Sequence, residues 1–169
     1  MISELFIDMD GCVSNFAKRY RELYKAEPEE HYLSSNNKKR KFHQENFHNF
    51  VENEHFSNLE LMPDAHIARD FLEWINKEHN IPVCFLTSSA KEEYLNSVTD
   101  QKRKWLKDNG FKFHPIVVPG KRFKYYYSKP NRILVDDTHS NIEDWKNSEG
   151  IGIHHSSWND SIEKIMQHL

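Results

Sequence analysis

The sequence predicts an α/β fold: a doubly wound parallel sheet of five strands, with a small helical cap inserted after the first strand. Five short, continuous apolar runs are typical of strands that are covered on both faces. Amphipathic helical patterns lie between these runs, and strand alternating with helix is the order that gives a parallel sheet. One long stretch after the first strand holds helical patterns alone, which indicates the inserted cap.

Composition limits the class of protein. The chain has 169 residues, enough for one compact domain with a small insertion. Its net charge of -3 gives no general attraction to nucleic acid or to an anionic membrane. No apolar stretch is long enough to span a bilayer, and the N-terminus lacks a signal-peptide pattern. The two cysteines, Cys12 and Cys84, form no zinc or disulfide pattern, so we expect a reducing, cytoplasmic location.

The five predicted strands are short, and each is bounded by polar or turn-forming residues. Such strands form a parallel sheet when helices cross between them. They are Glu4–Asp8, Ile81–Leu86, Pro115–Val118, Arg132–Val135 and Ile151–His154.

Four helices are predicted between and after the later strands, each from apolar residues at helical spacing. The first follows Pro63, and the second ends near Gly110. We expect the last helix to be capped by Asn159, Asp160 or Ser161. The apolar positions that define the four helices are Ile67, Phe71, Trp74 and Ile75; Tyr94, Val98 and Trp105; Ile142 and Trp145; and Ile162, Ile165, Met166 and Leu169.

The insertion covers residues 16–62, which contain no strand candidate. Apolar residues from Phe16 to Tyr24 fit one helix face, and Phe47, Phe50 and Val51 fit a second. The polar stretch Ser34–Lys41 lies between them and is interpreted as a solvated loop rather than a nucleic-acid patch. We therefore expect a catalytic core of residues 1–15 and 63–169, with a helical cap of residues 16–62.

Polar residues follow three of the predicted strands. In an open parallel sheet, ligands bind at the carboxyl ends of the strands, so these residues should meet. Four carboxylates at one edge would repel one another without a cation, and a hard divalent ion such as Mg²⁺ prefers oxygen ligands. The residues are Asp8 and Asp10 after the first strand, Thr87 and Ser88 after the second, and Asp136 and Asp137 after the fourth.

Phosphoryl-transfer chemistry fits this set of residues. One carboxylate can attack phosphorus and form an aspartyl-phosphate, while a second protonates the leaving oxygen and later activates water. A hydroxyl and a lysine can hold the non-bridging oxygens. Three lysines precede the last acidic pair and could supply this charge: Lys121, Lys124 and Lys129.

The motifs DMDG, LTSS and ILVDD, with a lysine before the last, occur in this order across nearly the whole chain. The sequence thereby resembles the haloacid dehalogenase superfamily of phosphotransferases. This resemblance implies that Asp8 is the nucleophile and Asp10 the general acid and base. It also implies that Thr87 is the hydroxyl of the second motif, with Ser88 close by.

The same resemblance implies a Mg²⁺ cofactor. Asp8 and the backbone carbonyl of Asp10 would bind the ion, together with the acidic pair Asp136 and Asp137. In this superfamily one member of such a pair usually binds the metal directly and the other supports it. We take Asp137 as the direct ligand.

A narrower resemblance rests on HFSNLELMPDAHIARDFL, QKRKWLKDNG and KYYYSKPNRILVDD. These stretches are similar to the 5′(3′)-deoxyribonucleotidase family and its phage and bacterial relatives. The resemblance implies Lys124 as the phosphate lysine, a deoxyribonucleoside monophosphate as substrate, and Phe16 and Phe56 as aromatics that stack the base. The sequence departs from the family at Cys12, where valine is usual, and at Ser57, where a second aromatic often stands.

Two other functions stay open at this point. One is a phosphatase acting on nucleic-acid ends, with Lys38–Lys41 and the segment 121–129 guiding a strand. The other is a non-catalytic binding module that kept the fold. Lys102 could orient the acidic groups, but a position on a helix surface is favoured, and the sequence makes no prediction of oligomeric state.

Overall fold

The computed structural model describes residues 1–28 and 35–169. Its centre is one sheet of five parallel strands in the order β3-β2-β1-β4-β5, which confirms the predicted architecture. The strands are β1 (Glu4–Ile7), β2 (Val83–Ser88), β3 (Pro115–Val118), β4 (Arg132–Asp136) and β5 (Ile151–His154).

The second strand differs from its predicted bounds. It runs on through Thr87 and Ser88 because these residues pair with Val117 and Val118 of β3. Similarly, β4 includes Asp136, which pairs with β5. Thr87, Ser88 and Asp136 are thus fixed by the sheet itself, whereas Asp8, Asp10 and Asp137 lie just beyond the strand ends.

Six α-helices lie within the described part of the chain, with three short 3-10 helices between them. The 3-10 helices are His55–Asn58, Glu92–Tyr94 and Lys121–Tyr127. The α-helices are α1 (Phe16–Tyr24), α2 (Asn37–Glu52), α3 (Ala65–His79), α4 (Leu95–Asp108), α5 (His139–Asn147) and α6 (Trp158–Met166). None of these helices is long and apolar enough to cross a membrane.

Both faces of the sheet are covered, as a doubly wound fold requires. Alternate residues of β1 point to opposite faces, so Leu5 and Ile7 enter one core while Phe6 enters the other. The larger core includes residues of α3, α4 and α6, and the smaller one includes Ile142 and Trp145 of α5.

The capping prediction for α6 was wrong. Ser157 caps this helix, and its hydroxyl accepts a hydrogen bond from the backbone N–H of Asp160. Helix α6 therefore starts at Trp158, whose large side chain is fully buried, while Met166 and Leu169 are exposed. The buried stripe is set by Trp158 and Ile165, which fill the space beside the sheet.

The cap region consists of α1, α2 and a 3-10 helix wherever the structure describes it. Phe16 of α1 packs edge-on against Phe50 of α2, with ring centroids 5.1 Å apart. The loop prediction for Ser34–Lys41 was wrong for residues 37–41, which form the exposed first turns of α2. The Asn36 side chain caps that helix; Ser34 lies outside the described residues.

Candidate active site

The carboxyl ends of β1, the central strand, and of its two neighbours β2 and β4 lie together at one edge of the sheet. This is the place where open α/β sheets bind ligands. Asp136 ends β4 and lies directly behind Lys124. Seven predicted site residues line one cavity here: Asp8, Asp10, Phe16, Thr87, Ser88, Lys124 and Asp137.

A tight turn after β1 shapes the floor of this cavity. The Met9 carbonyl accepts hydrogen bonds from the backbone N–H groups of residues 12–14. Gly11 has a φ of 86°, in the left-handed region that favours glycine. A Cβ at Gly11 would overlap the Asp137 carboxylate, so only glycine lets that carboxylate approach the turn.

Lys124 joins two of the carboxylates. Its ammonium lies 2.7 Å from Asp8 Oδ1 and 2.7 Å from Asp136 Oδ2, and the residue is only 3% exposed. Burial alone would lower its pKa, but the charges of Asp136 and Asp8 outweigh that effect and raise the pKa above its ordinary value. Lys121 and Lys129 are exposed. Of the three candidate lysines, Lys124 alone is buried against these acids.

The two members of the acidic pair differ in their surroundings. Asp136 is fully buried and accepts three hydrogen bonds, from Lys124 Nζ, Asn141 Nδ2 and the backbone N–H of Thr138. The Asp137 carboxylate instead faces the cavity and lies near Asp8. Because its oxygens are already used, Asp136 has less capacity left to bind a cation than Asp137.

Excess negative charge marks this edge of the sheet. Burial raises the pKa of Asp8 to about 6; Lys124 opposes this shift and Asp136 adds to it. Loss of water around its carboxylate, followed by the charges of Asp8 and Asp136, raises the pKa of Asp137 to about 8. Lys124 alone does not balance the charges of Asp8, Asp136 and Asp137, so a bound cation would stabilise this cluster.

Asp10 is held by a second buried lysine. Lys102 Nζ donates to Asp10 Oδ2 at 2.8 Å, to Thr87 Oγ1 at 2.5 Å and to the Ser88 carbonyl at 3.2 Å. The other carboxylate oxygen of Asp10 accepts a hydrogen bond from Ser14 Oγ at 2.9 Å. Asp10 and Thr87 are thereby fixed relative to each other.

The expectation that Lys102 lies on a helix surface was wrong, since the residue is 1% exposed. Its position on α4 shows why. Val98, Lys102 and Trp105 are spaced i, i+4 and i+7, so the lysine falls on the apolar stripe that packs on the sheet. That spacing was visible in the sequence and could have identified Lys102 as buried.

The cavity has a volume of about 340 Å³. Part of its lining comes from the cap, namely Phe16 of α1 and Gln44 and Phe47 of α2. Tyr94, which precedes α4, also lines it. Sequence reasoning did not name Gln44, Phe47 or Tyr94 as site residues. The sequence places Phe47 and Tyr94 on helix faces, and only the fold brings both residues to the cavity.

Phe56 does not line this cavity. The ring is 2% exposed and stacks behind Phe16, with centroids 5.5 Å apart and ring planes at 8°. The Lys102 ammonium lies 5.0 Å from the centroid of the Phe56 ring. The backbone N–H of Phe56 donates a hydrogen bond to Gln101 Oε1. Phe56 therefore supports Phe16 and Lys102 from behind, and we replace it by Phe47 as a candidate contact for a base.

A parallel sheet with paired carboxylates and a buried lysine at its carboxyl edge is typical of haloacid dehalogenase-like hydrolases. Two solved structures share the fold. A haloacid dehalogenase-like family hydrolase from Streptococcus pneumoniae is 9% identical, with a TM-score of 0.62 over 96% of this chain and 90% of that one. A hydrolase from Streptococcus pneumoniae TIGR4 is 11% identical, with a TM-score of 0.51 over 98% of both chains.

The family itself is shown by the sequence model for the 5′ nucleotidase, deoxy (pyrimidine), cytosolic type C proteins, which matches residues 1–167. The chain belongs to this family and is a phosphoric monoester hydrolase. No curated protein gives a significant match to the sequence.

Proposed function

We propose that this enzyme hydrolyses nucleoside monophosphates, and deoxyribonucleotides in particular, through an aspartyl-phosphate intermediate. The observation that carries the proposal is the Lys124 ammonium between Asp8 and Asp136, in a cavity that is lined in part by aromatic side chains. The family name supports the deoxyribonucleotide as the substrate class.

The residues present fit a Mg²⁺ ion. Their donors are carboxylate oxygens, they carry more negative charge than Lys124 balances, and Gly11 leaves room for Asp137 beside the turn. Asp8, Asp137 and the backbone carbonyl of Asp10 would hold the ion, with Asp136 in support through its bond to Lys124. When bound, Mg²⁺ supplies positive charge that stabilises the phosphoryl oxygens in the transition state.

The nucleophile in this proposal is Asp8. Lys124 occupies its Oδ1, which leaves Oδ2 to attack phosphorus as the bond to the ester oxygen breaks. The leaving oxygen takes a proton from Asp10. Water then attacks the aspartyl-phosphate, gives its proton to Asp10 and regenerates Asp8, while the phosphate leaves.

Other side chains would orient the reacting groups. Lys102 and Ser14 fix the Asp10 carboxyl group, and the Thr87 hydroxyl and Ser88 line the cavity beside it. We therefore assign Lys102 a positioning role, since it reaches Asp10 and Thr87 rather than the cavity. The Thr87 hydroxyl and the Lys124 ammonium line the cavity, and such groups at fixed positions can stabilise phosphoryl oxygens without reorganising during the reaction.

The cap would select the base. Phe16, Phe47 and Tyr94 offer flat aromatic faces, and Gln44 adds an amide with both donor and acceptor groups. The cavity of about 340 Å³ lies within the range of small-molecule sites.

The proposal keeps residues 16–62 as the cap and residues 1–15 and 63–169 as the core. It also places the enzyme in a reducing cytoplasm, since Cys12 and Cys84 are free thiols.

The test is phosphate release from a panel of ribo- and deoxyribonucleoside monophosphates, with Mg²⁺ or with EDTA. We expect Mg²⁺-dependent release that favours deoxyribonucleotides and is lost in Asp8→Asn. Normal turnover by Asp8→Asn would overturn the mechanism. Release from 3′- or 5′-phosphorylated oligonucleotides but from no monomer would replace the substrate assignment with nucleic-acid ends.

A further inference from the structure

Cys12 brings a sulfur atom into the carboxylate cluster. One ligand atom each from Asp8, Cys12 and Asp137 lie within 4.8 Å of one another. A cation sits about 2.0–2.3 Å from its oxygen and sulfur ligands, so two ligands of one ion are at most about 4.6 Å apart. One ion can therefore contact all three groups once their side chains close slightly around it. The cluster therefore joins two hard donors and one soft donor around one point.

The thiol is held in this position by the fold. Cys12 is 0% exposed, its N–H donates to the Met9 carbonyl, and its own carbonyl accepts a 2.8 Å bond from Trp158 Nε1. Within residues 1–28 and 35–169 its sulfur makes no hydrogen bond. A fully buried thiol with no hydrogen bond among these residues thus lies beside two carboxylates.

We propose that Cys12 makes this cluster a site for thiophilic divalent cations such as Cd²⁺ and Zn²⁺, bound by Asp8, Asp137 and the Cys12 sulfur. Soft thiolate ligands select such ions, whereas Mg²⁺ takes oxygen ligands and leaves the sulfur unused. On binding, a metal–sulfur bond forms and the S–H bond breaks, and the proton passes to the buffer.

The two kinds of cation exclude each other, because each needs Asp8 and Asp137. A thiophilic ion would hold the Asp8 carboxylate on the metal and keep Mg²⁺ out. This inference rests on the metal site of the proposed function, but it concerns binding alone and needs no substrate.

The experiment is a Cd²⁺ titration of the whole chain, followed by the ultraviolet charge-transfer absorption of a cadmium–thiolate bond. We expect the band to saturate at one equivalent in the unmodified protein and in Cys84→Val, the matched control for the second thiol. In Cys12→Val the band should vanish and Cd²⁺ affinity should fall about tenfold or more. Asp137→Asn should weaken Cd²⁺ binding while keeping the thiol, and excess Mg²⁺ should reduce the band.

A band that persists in Cys12→Val, or that has the same affinity in Asp137→Asn, would overturn the proposal. Cys12→Ser tests it if Cys12→Val does not fold, since serine keeps the size of the side chain and replaces the soft sulfur with a hard oxygen. An unchanged Cd²⁺ affinity in Cys12→Ser would also overturn it. Because absorption is read without turnover, failure here is separate from failure of the phosphatase assay.

Discussion

The Lys102 ammonium donates a 2.8 Å hydrogen bond to Asp10 Oδ2 while it is almost completely buried in α4. The same ammonium reaches Thr87, so one side chain fixes two groups of the proposed mechanism. A buried lysine without a partner is unfavourable. The bond to Asp10 therefore also holds α4 against the turn after β1.

Replacing Lys102 by methionine should reduce kcat. Asp10 keeps its bond to Ser14 but loses the partner that fixes its second oxygen, and general acid–base catalysis is worth about 10²–10⁴-fold. We expect a loss of about 10–100-fold in kcat, with a smaller change in KM, measured by phosphate release. Lys104→Met is the matched control, because Lys104 lies on the same helix but pairs with Asp108 on the surface. Equal effects of the two changes would argue against a positioning role.

Replacing Lys124 by methionine should affect both stability and activity. The change leaves Asp8 and Asp136 without their shared cation, and breaking a buried ion pair costs about 3–5 kcal/mol. We expect a lower free energy of unfolding in urea and no detectable turnover. Lys129→Met is the control, since that lysine is exposed. Full activity in Lys124→Met would return the choice of lysine to Lys121 or Lys129.

The carboxylates should make the stability of the metal-free protein depend on pH. Folding raises the pKa of Asp8 to about 6 and of Asp137 to about 8, from an ordinary value of 3.8. The folded state therefore binds more protons than the unfolded state between about pH 4 and 8. The contribution of these groups is complete below pH 4 and is lost as the pH rises through 6 and then 8.

Urea unfolding at pH 5 and at pH 8 in EDTA measures this effect. The increase in the free energy of unfolding when Mg²⁺ replaces EDTA should be larger at pH 8 than at pH 5, because the carboxylates are charged at pH 8. Asp137→Asn should remove the part of the pH dependence near pH 8. A Mg²⁺ effect that is equal at both pH values, or larger at pH 5, would contradict the charge assignment.

Gly11 and Gly110 offer a matched pair of substitutions. Both have positive φ, 86° and 77°, so alanine is strained at each. At Gly11 the new Cβ would also overlap the Asp137 carboxylate, whereas at Gly110 the nearest atom is in the Arg69 side chain at 3.6 Å. We expect Gly11→Ala to abolish Mg²⁺-dependent turnover and Gly110→Ala to lower stability alone, by about 1 kcal/mol. Retained Mg²⁺-dependent activity in Gly11→Ala would show that Asp137 does not need its place beside the turn.

The sequence was sufficient to predict the sheet because its strands are short apolar runs whose neighbours are all helices. It also predicted the acids, since Asp8 and Asp136 stand at strand ends. It failed where packing decides the outcome. Lys102 is charged yet lies on an apolar stripe. Phe56 is an aromatic residue that could stack on a base, but Phe16 covers its ring. Which aromatic ring reaches a cavity depends on how two cap helices pack, and periodicity alone does not contain that information.

Phe47 and Phe56 should therefore separate base recognition from packing. Phe47 lines the cavity and is only partly buried, so Phe47→Ala should raise KM for nucleotides while leaving KM for p-nitrophenyl phosphate, which has no base, nearly unchanged. Phe56→Ala should instead lower the free energy of unfolding by about 3–5 kcal/mol, since it removes a buried ring beneath Phe16 and Lys102. Steady-state kinetics with both substrates and urea unfolding of both variants check this. If Phe47→Ala raises both KM values equally, the cap does not contact the base through this ring, and Phe16 and Tyr94 become the rings to change next.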